Sequence, residues 1–174
     1  AGDFHFTPAA VLKHAADYEG EADYVFLTAK VLPGADAVEL LRPAVRSPKS
    51  AIVLIQNGID IEREVAEAFP ENELLSTIAY IGVSRPRPGF VLHQGSGDLK
   101  MGNYPSGIGE AARRLAALFA RAGVKCELHE DIVFVRWNKL LWNLPFNPVS
   151  VLAGNATTRD MTRRDELEKL CRTL

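Results

Sequence analysis

The chain has 174 residues, with 20 Lys and Arg against 22 Asp and Glu, a formal charge of −2 and 47% hydrophobic residues. This composition is typical of a folded globular protein and excludes a disordered, collagen-like or coiled-coil chain. The apolar runs are only a few residues long, far below the roughly 18 to 20 that cross a bilayer, so no membrane partner is expected.

The net charge, the cysteines and the histidines indicate which partners, metals and compartment to expect. A near-neutral chain has no strongly basic surface for nucleic-acid phosphates, so a small-molecule partner is expected instead. Cys126 and Cys171 have no short metal-ligand spacing and predict free thiols. The 4 histidines are scattered, so no metal site is predicted. Residues 1–7 contain neither the basic segment nor the apolar segment of an export signal, which predicts a cytoplasmic protein.

The first half of the chain shows an alternation of strands and helices. Residues 23–28 and 51–55 are apolar without alternation, which predicts strands buried on both faces of a parallel sheet. A helix is predicted at residues 35–41, and a second one at residues 62–69 with Asp60 as its N-cap. This order is typical of an open α/β sheet with helices on its faces.

The pattern changes after a third parallel strand, predicted at residues 74–81. Residues 82–101 are rich in Gly and Pro around two short strand-like pieces, residues 90–93 and 99–101, which predicts an antiparallel hairpin. Apolar residues then recur at helical spacing between Ser106, the predicted N-cap, and Gly123, the predicted stop. Residues 124–128 predict a closing strand.

The last part of the chain is predicted to be helical. The helices begin at Asp131 as a cap, with a break near Gly154–Asn155, so a boundary is predicted near residue 130. The fold class is α/β: a partial parallel sheet with an antiparallel hairpin, followed by the first helices of an all-α domain. Residues 1–6 are loop-like and both parts are incomplete as domains, so the chain is expected to be a fragment.

One polar line marks the helical part. Lys139, Asn143 and Asn147 recur every four residues and therefore share one helix face. A cation and two amides can hold a substrate oxygen, because the ammonium donates a proton or stabilises negative charge. The alternative is a solvated face in which the asparagines cap a helix that Pro145 and Pro148 break. The residues alone leave both interpretations open.

A family resemblance adds to this pattern. The run Lys139-Leu140-Leu141-x-Asn143-x-x-x-Asn147-Pro148 resembles the start of the second domain of ketopantoate reductases, also called 2-dehydropantoate 2-reductases. Four further segments resemble the family in the same order, namely residues 27–30, 55–58, 89–95 and 123–132. The ordered set covers nearly the whole chain.

The resemblance implies a reaction and roles for five residues. The family reduces 2-dehydropantoate, a keto acid, to pantoate with NADPH, in pantothenate and coenzyme A biosynthesis. Lys139 resembles the general acid that protonates the carbonyl oxygen, and Asn143 and Asn147 resemble amides that bind the substrate. Lys30 and Asn57 resemble cofactor-binding residues at the carboxyl ends of two parallel strands.

The resemblance also assigns the two parts of the chain. Residues 1–130 resemble the latter part of a Rossmann-like dinucleotide-binding domain, and residues 131–174 the start of an α-helical substrate and dimerisation domain. The family's GxGxxG segment has no counterpart before Ala1, and a serine and an acidic residue of the family site would lie beyond Leu174. The chain itself is therefore expected to be inactive. Apolar helix faces left uncovered predict a possible homodimer.

A second glycine motif needs a separate interpretation. Residues 107–112 fit GxGxxA at the start of a helix, with Glu127 about 20 residues later, as in a dinucleotide-binding motif. The favoured interpretation is a glycine-rich helix start, because the preceding residues 98–101 form a poor buried strand.

Two functional alternatives stay open. The chain could belong to a paralogous NAD(P)-dependent reductase of another 2-keto or hydroxy acid, since fold and lysine do not define the substrate. It could also belong to a non-catalytic binding module on the same fold. Turnover on several keto acids distinguishes these classes.

Overall fold

The computed structural model describes residues 5–173, so residues 1–4 of the predicted loop-like opening, and Leu174, lie outside the described residues. After a short 3₁₀ helix at Ala15–Asp17, the elements are β1 Tyr24–Leu27, α1 Ala37–Leu41, β2 Ala51–Ile55, α2 Arg63–Ala68, β3 Leu74–Arg87, β4 Phe90–Asn103, α3 Glu110–Arg121, β5 Cys126–Leu128, α4 Ile132–Leu152, α5 Thr158–Met161 and α6 Asp165–Thr173. The predicted order of strands and helices is confirmed.

The strands form one sheet of five in the order β1-β2-β3-β4-β5. Strands β1 and β3 lie on either side of β2 and run parallel to it. Strand β3 pairs antiparallel with β4, and β4 pairs parallel with β5. The predicted α/β class, a parallel sheet with an antiparallel hairpin followed by helices, is confirmed. The boundary near residue 130 stays a prediction.

An antiparallel hairpin is present, but its arms differ from the predicted pieces, because residues 90–93 and 99–101 both lie in β4 and the other arm is β3. Each arm has 14 residues. Gly82 pairs with Gly95 inside the ladder, so these glycines do not mark turns. The register shifts between Ser84 and Arg87, where a proline lacks the N–H that a regular ladder requires. The β-bulges of this ladder accommodate the Gly and Pro residues that had suggested a break between the two predicted pieces.

Strand β2 contributes buried side chains to a hydrophobic core on each face of the sheet. Ile52 and Leu54 pack with residues of α1 and α2 on one face. Ala51 and Val53 pack with residues of α3 on the other face. All four are at most 2% exposed, which confirms the prediction from the unbroken apolar run.

The cap of α4 is as predicted, and the cap of α2 is not. Asp131 Oδ1 accepts a hydrogen bond from the Phe134 N–H at 2.8 Å. Helix α2 begins after Glu62, so the prediction of Asp60 as its N-cap is wrong. Asp60 instead has a φ of 58°, and its side chain pairs with Arg63 at 2.9 Å.

The start of α3 is capped by a carboxylate from a distant part of the chain. The prediction of Ser106 as N-cap is wrong, because α3 begins after Gly109, whose N–H donates to Asn103 Oδ1 at 2.7 Å. Glu73 accepts from the Ala111 N–H at 3.2 Å and from Asn103 Nδ2 at 3.0 Å. A Cβ at Gly109 would collide with Glu73 Oε2. These contacts favour the helix-start interpretation of the GxGxxA run, since the helix N-terminus already has an anionic partner.

Replacing Glu73 by Ala is expected to lower the free energy of unfolding by about 1–2 kcal/mol, because the α3 amide and the Asn103 amide lose their acceptor. Urea denaturation measures this change. Glu71→Ala is the matched control, because Glu71 is an exposed carboxylate two residues away. Equal destabilisation by the two substitutions would contradict a capping role for Glu73.

Helix α4 runs unbroken through both of its prolines. Pro145 and Val149 are buried, and Val149 packs against side chains of α5 and α6. This packing stabilises the helix across Pro145 and Pro148, so the alternative of a broken helix is wrong. The break predicted at Gly154 and Asn155 is confirmed by their φ values of 74° and 62°.

Exposed large apolar side chains are frequent along α4. They are Phe134, Trp137, Leu141, Trp142, Leu144, Val151 and Leu152. Within residues 5–173, no helix combines the length and the apolar character needed to span a membrane. The homodimer through an apolar helix face stays a prediction.

Candidate active site

An open cavity of about 1110 Å³ lies at the carboxyl ends of the first two parallel strands. Thr28 follows β1, and Gln56 and Asn57 follow β2. The hairpin contributes residues 79–83 and 94–96 to the lining. Open α/β sheets bind ligands at this edge, and the volume is sufficient for a small organic molecule.

Helix α4 supplies the remaining wall of the cavity. Lys139, Asn143 and Asn147 all line it, together with Asn138 and Trp142. The four-residue spacing therefore brings the predicted cation and amides to one cavity. Because α4 is continuous, the asparagines do not cap a broken helix.

The ammonium of Lys139 is held by two oxygen atoms from other elements. Its Nζ donates to Asn57 Oδ1 at 2.8 Å and to the Ala79 carbonyl at 2.7 Å. It also lies 5.1 Å from the centre of the Tyr80 ring, within the range of a cation–π contact. The lysine is thus fixed between the β2–α2 turn and β3.

The surroundings change the acidity of this lysine. Burial, followed by the positive charge of Arg136, lowers the pKa of Lys139 below that of a solvated lysine. The two oxygen acceptors favour the charged form. Burial raises the pKa of Tyr80, so the neighbouring hydroxyl stays neutral at ordinary pH. A lysine of lowered pKa transfers its proton more readily than a solvated one.

A buried ion pair lies behind the lysine, between Arg136 of α4 and Glu62 at the start of α2. Their side chains are 3% and 2% exposed, and Arg136 Nε contacts Glu62 Oε1 directly. Ser76 Oγ donates to Glu62 Oε1 at 2.7 Å and accepts from Arg136 Nε at 2.8 Å. Sequence reasoning missed this pair. The available signal was that Arg136 precedes Lys139 by three residues and so lies on nearly the same helix face.

The other predicted residues differ in position. Asn57 lines the cavity and contacts Lys139. Lys30 is exposed and is not among the residues that line the cavity, so its role stays a prediction. Cys126 and Cys171 are free thiols. In the described part of the chain, no three His, Cys, Asp or Glu residues lie close enough together to hold a metal ion.

The sheet and its cavity define a Rossmann-like α/β protein with a ligand cleft at the carboxyl ends of its parallel strands. Residues 1–106 match the family model described as ketopantoate reductase PanE/ApbA. The chain belongs to this family, as its sequence motifs predict.

Individual relatives agree with the family assignment. A 2-dehydropantoate 2-reductase of Nostoc sp. is 30% identical over an alignment of 146 residues that covers 81% of this chain and 45% of the relative. The crystal structure of 2-dehydropantoate 2-reductase from Methylococcus capsulatus is 47% identical, with a TM-score of 0.84 over 97% of this chain and 56% of that chain. The enzyme from Geobacter metallireducens is 30% identical, with a TM-score of 0.82 over 92% of this chain and 52% of that chain. The chain thus spans about half the length of these relatives.

Proposed function

We propose that the complete protein reduces 2-dehydropantoate to pantoate with NADPH, in the cytoplasm, as a step of pantothenate and coenzyme A biosynthesis. Family membership and the names of the relatives support this reaction. The observation that carries the proposal is the ammonium of Lys139, fixed by Asn57 and Ala79 at the wall of a cavity that Asn143 and Asn147 also line.

Ketone reduction adds a hydride to the carbonyl carbon and a proton to the carbonyl oxygen. Lys139 donates the proton, and its positive charge stabilises the negative charge that develops on the oxygen. Asn143 and Asn147, one and two helical turns further along α4, bind the polar groups of the keto acid through amides that both donate and accept. Trp142 adds an apolar wall to the same cavity.

NADPH supplies the hydride when bound. Thr28, Gln56 and Asn57 offer hydroxyl and amide groups at the strand ends, and these groups fit the polar nicotinamide end of the cofactor. Lys30, exposed just after β1, is the second proposed cofactor-binding residue, on the nicotinamide side with Asn57. The start of α3 does not fit a phosphate, because the carboxylate of Glu73 caps it. We therefore propose that this chain supplies only part of the cofactor site and is inactive by itself.

The test is NADPH oxidation by the complete protein with 2-dehydropantoate, run beside a panel of other keto acids. The expected result is a kcat of at least about 1 s⁻¹, within the ordinary range of enzymes, with 2-dehydropantoate as the preferred substrate. Preference for another keto acid would show a paralogous reductase. Binding without turnover of any keto acid would show a non-catalytic module.

A further inference from the structure

Helix α4 makes three hydrogen bonds to the turn that carries Asn57. Arg136 Nη1 donates to the Gln56 carbonyl at 2.8 Å and to the Gly58 carbonyl at 3.1 Å. These two carbonyls flank Asn57 in the chain. One helical turn later, Lys139 binds the Asn57 side chain itself at 2.8 Å. Main chain and side chain of the same turn are thus fixed by two residues of one helix.

Arg136 can make these contacts because its guanidinium is itself held in place. Glu62 and Ser76 contact its Nε, and both residues are buried. This leaves Nη1 to reach the two carbonyls. A planar guanidinium with five N–H donors can satisfy the carboxylate, the hydroxyl and the carbonyls together, whereas a lysine ammonium with three donors at one point cannot.

We infer that Arg136 is a positioning residue for Lys139, because it fixes the main chain on both sides of Asn57 and so keeps Asn57 Oδ1 against the ammonium. Its consequence for turnover rests on the proposed function. Arg136 acts through the turn, and Asn57 and Lys139 are the groups that line the cavity.

The charged and titratable groups around Lys139 are few in the described structure. On its own helix there is Arg136, whose charge lowers the pKa of Lys139. The hairpin contributes Tyr80, over which Lys139 Nζ lies, and Lys100, whose Nζ lies 5.5 Å from the same ring. The β2–α2 turn contributes the neutral amide of Asn57. Behind Arg136, Glu62 at the start of α2 pairs with its guanidinium, so removing Arg136 and Glu62 together removes one charge of each sign.

Two variants of the complete protein separate the contacts of Arg136 from its charge. Arg136→Lys keeps the positive charge and loses the planar set of donors. The double variant Arg136→Met with Glu62→Gln removes both buried charges and leaves no unpaired ion, so it is expected to fold. Arg63→Lys is the control, because Arg63 is an exposed arginine at the start of the neighbouring helix.

The first measurement tests the position of the Asn57 turn and does not depend on enzyme activity. Backbone ¹⁵N order parameters at Asn57 and Gly58 are expected to be near the rigid value of about 0.85 in the parent protein and in Arg63→Lys. In both Arg136 variants they are expected to fall to about 0.6 or below. Unchanged order parameters in the folded Arg136 variants would overturn the inference.

The second measurement is kcat as a function of pH. Its alkaline limb is the fall in rate at high pH, where Lys139 loses its proton. Arg136→Lys is expected to lower kcat about 100-fold, the loss typical of a small misplacement. In both variants the alkaline limb is expected to move to lower pH, because the Lys139 ammonium loses Asn57 Oδ1, an acceptor that favours its charged form. A merely structural role would lower stability and move neither kcat nor the limb, which would also overturn the inference.

The two measurements distinguish failure of this inference from failure of the proposed function. If the parent protein turns over no keto acid while the order parameters fall in the Arg136 variants, the proposed function fails and the positioning contact stands. If the parent protein is active and the variants match it in kcat, the inference fails and the proposed function stands.

Discussion

Replacing Lys139 by Ala in the complete protein is expected to lower kcat for 2-dehydropantoate by about 10²–10⁴-fold, the usual contribution of a general acid. The ammonium lies at the cavity wall and donates to Asn57 Oδ1 and to the Ala79 carbonyl, so the substitution removes the proton donor from that wall. NADPH oxidation measures the rate, and the thermal unfolding midpoint measures whether the fold is retained.

The pH profile adds a second readout of the same substitution. A general acid must be protonated, so the rate falls as pH rises through the pKa of Lys139. Because burial and Arg136 lower that pKa, the complete protein is expected to lose activity at a lower pH than a solvated lysine would give. The Lys139→Ala variant is expected to lack this limb and to show only a slow residual rate.

Lys125→Ala is the matched control for both measurements. Lys125 is 62% exposed and pairs with Asp98 and Glu127, and it does not line the cavity. Its replacement is expected to leave kcat and the alkaline limb unchanged. A Lys139→Ala variant with the kcat of the Lys125→Ala variant would contradict the role of Lys139 as general acid.

The elements that the sequence predicts well are those in which local pattern and burial agree. Strand β2, Ala51–Ile55, is found with the predicted bounds because an unbroken apolar run suits a strand buried on both faces. The polar line of Lys139, Asn143 and Asn147 is found on one cavity wall because helical spacing alone determines which residues share a face.

The features that the sequence does not predict depend on contacts between distant residues. Ser106 has a good residue type for an N-cap, yet Glu73 reaches the start of α3 across 38 positions. Arg136 and Glu62 look like ordinary surface residues of two helices. Only the packing of α4 on the β2–α2 turn buries both of them and connects them to Asn57.

The largest expected effect on stability comes from Glu62→Gln. The substitution keeps the shape of the side chain but leaves the Arg136 guanidinium buried without a counter-charge. Loss of one partner of a buried ion pair lowers the free energy of unfolding by about 3–5 kcal/mol. Urea denaturation followed by circular dichroism measures the change.

Two comparisons show whether that loss comes from the unpaired charge. Glu110→Gln breaks an exposed ion pair, in which the side chains of Glu110 and Arg114 are 79% and 63% exposed. This substitution is expected to lower the free energy of unfolding by at most about 1 kcal/mol. The double variant Glu62→Gln with Arg136→Met is expected to regain most of the lost stability, because no buried charge remains unpaired. If the double variant were no more stable than Glu62→Gln alone, the cost would come from packing at Glu62. Regained stability together with a mobile Asn57 turn would instead mean that the ion pair serves to position Lys139 more than to stabilise the fold.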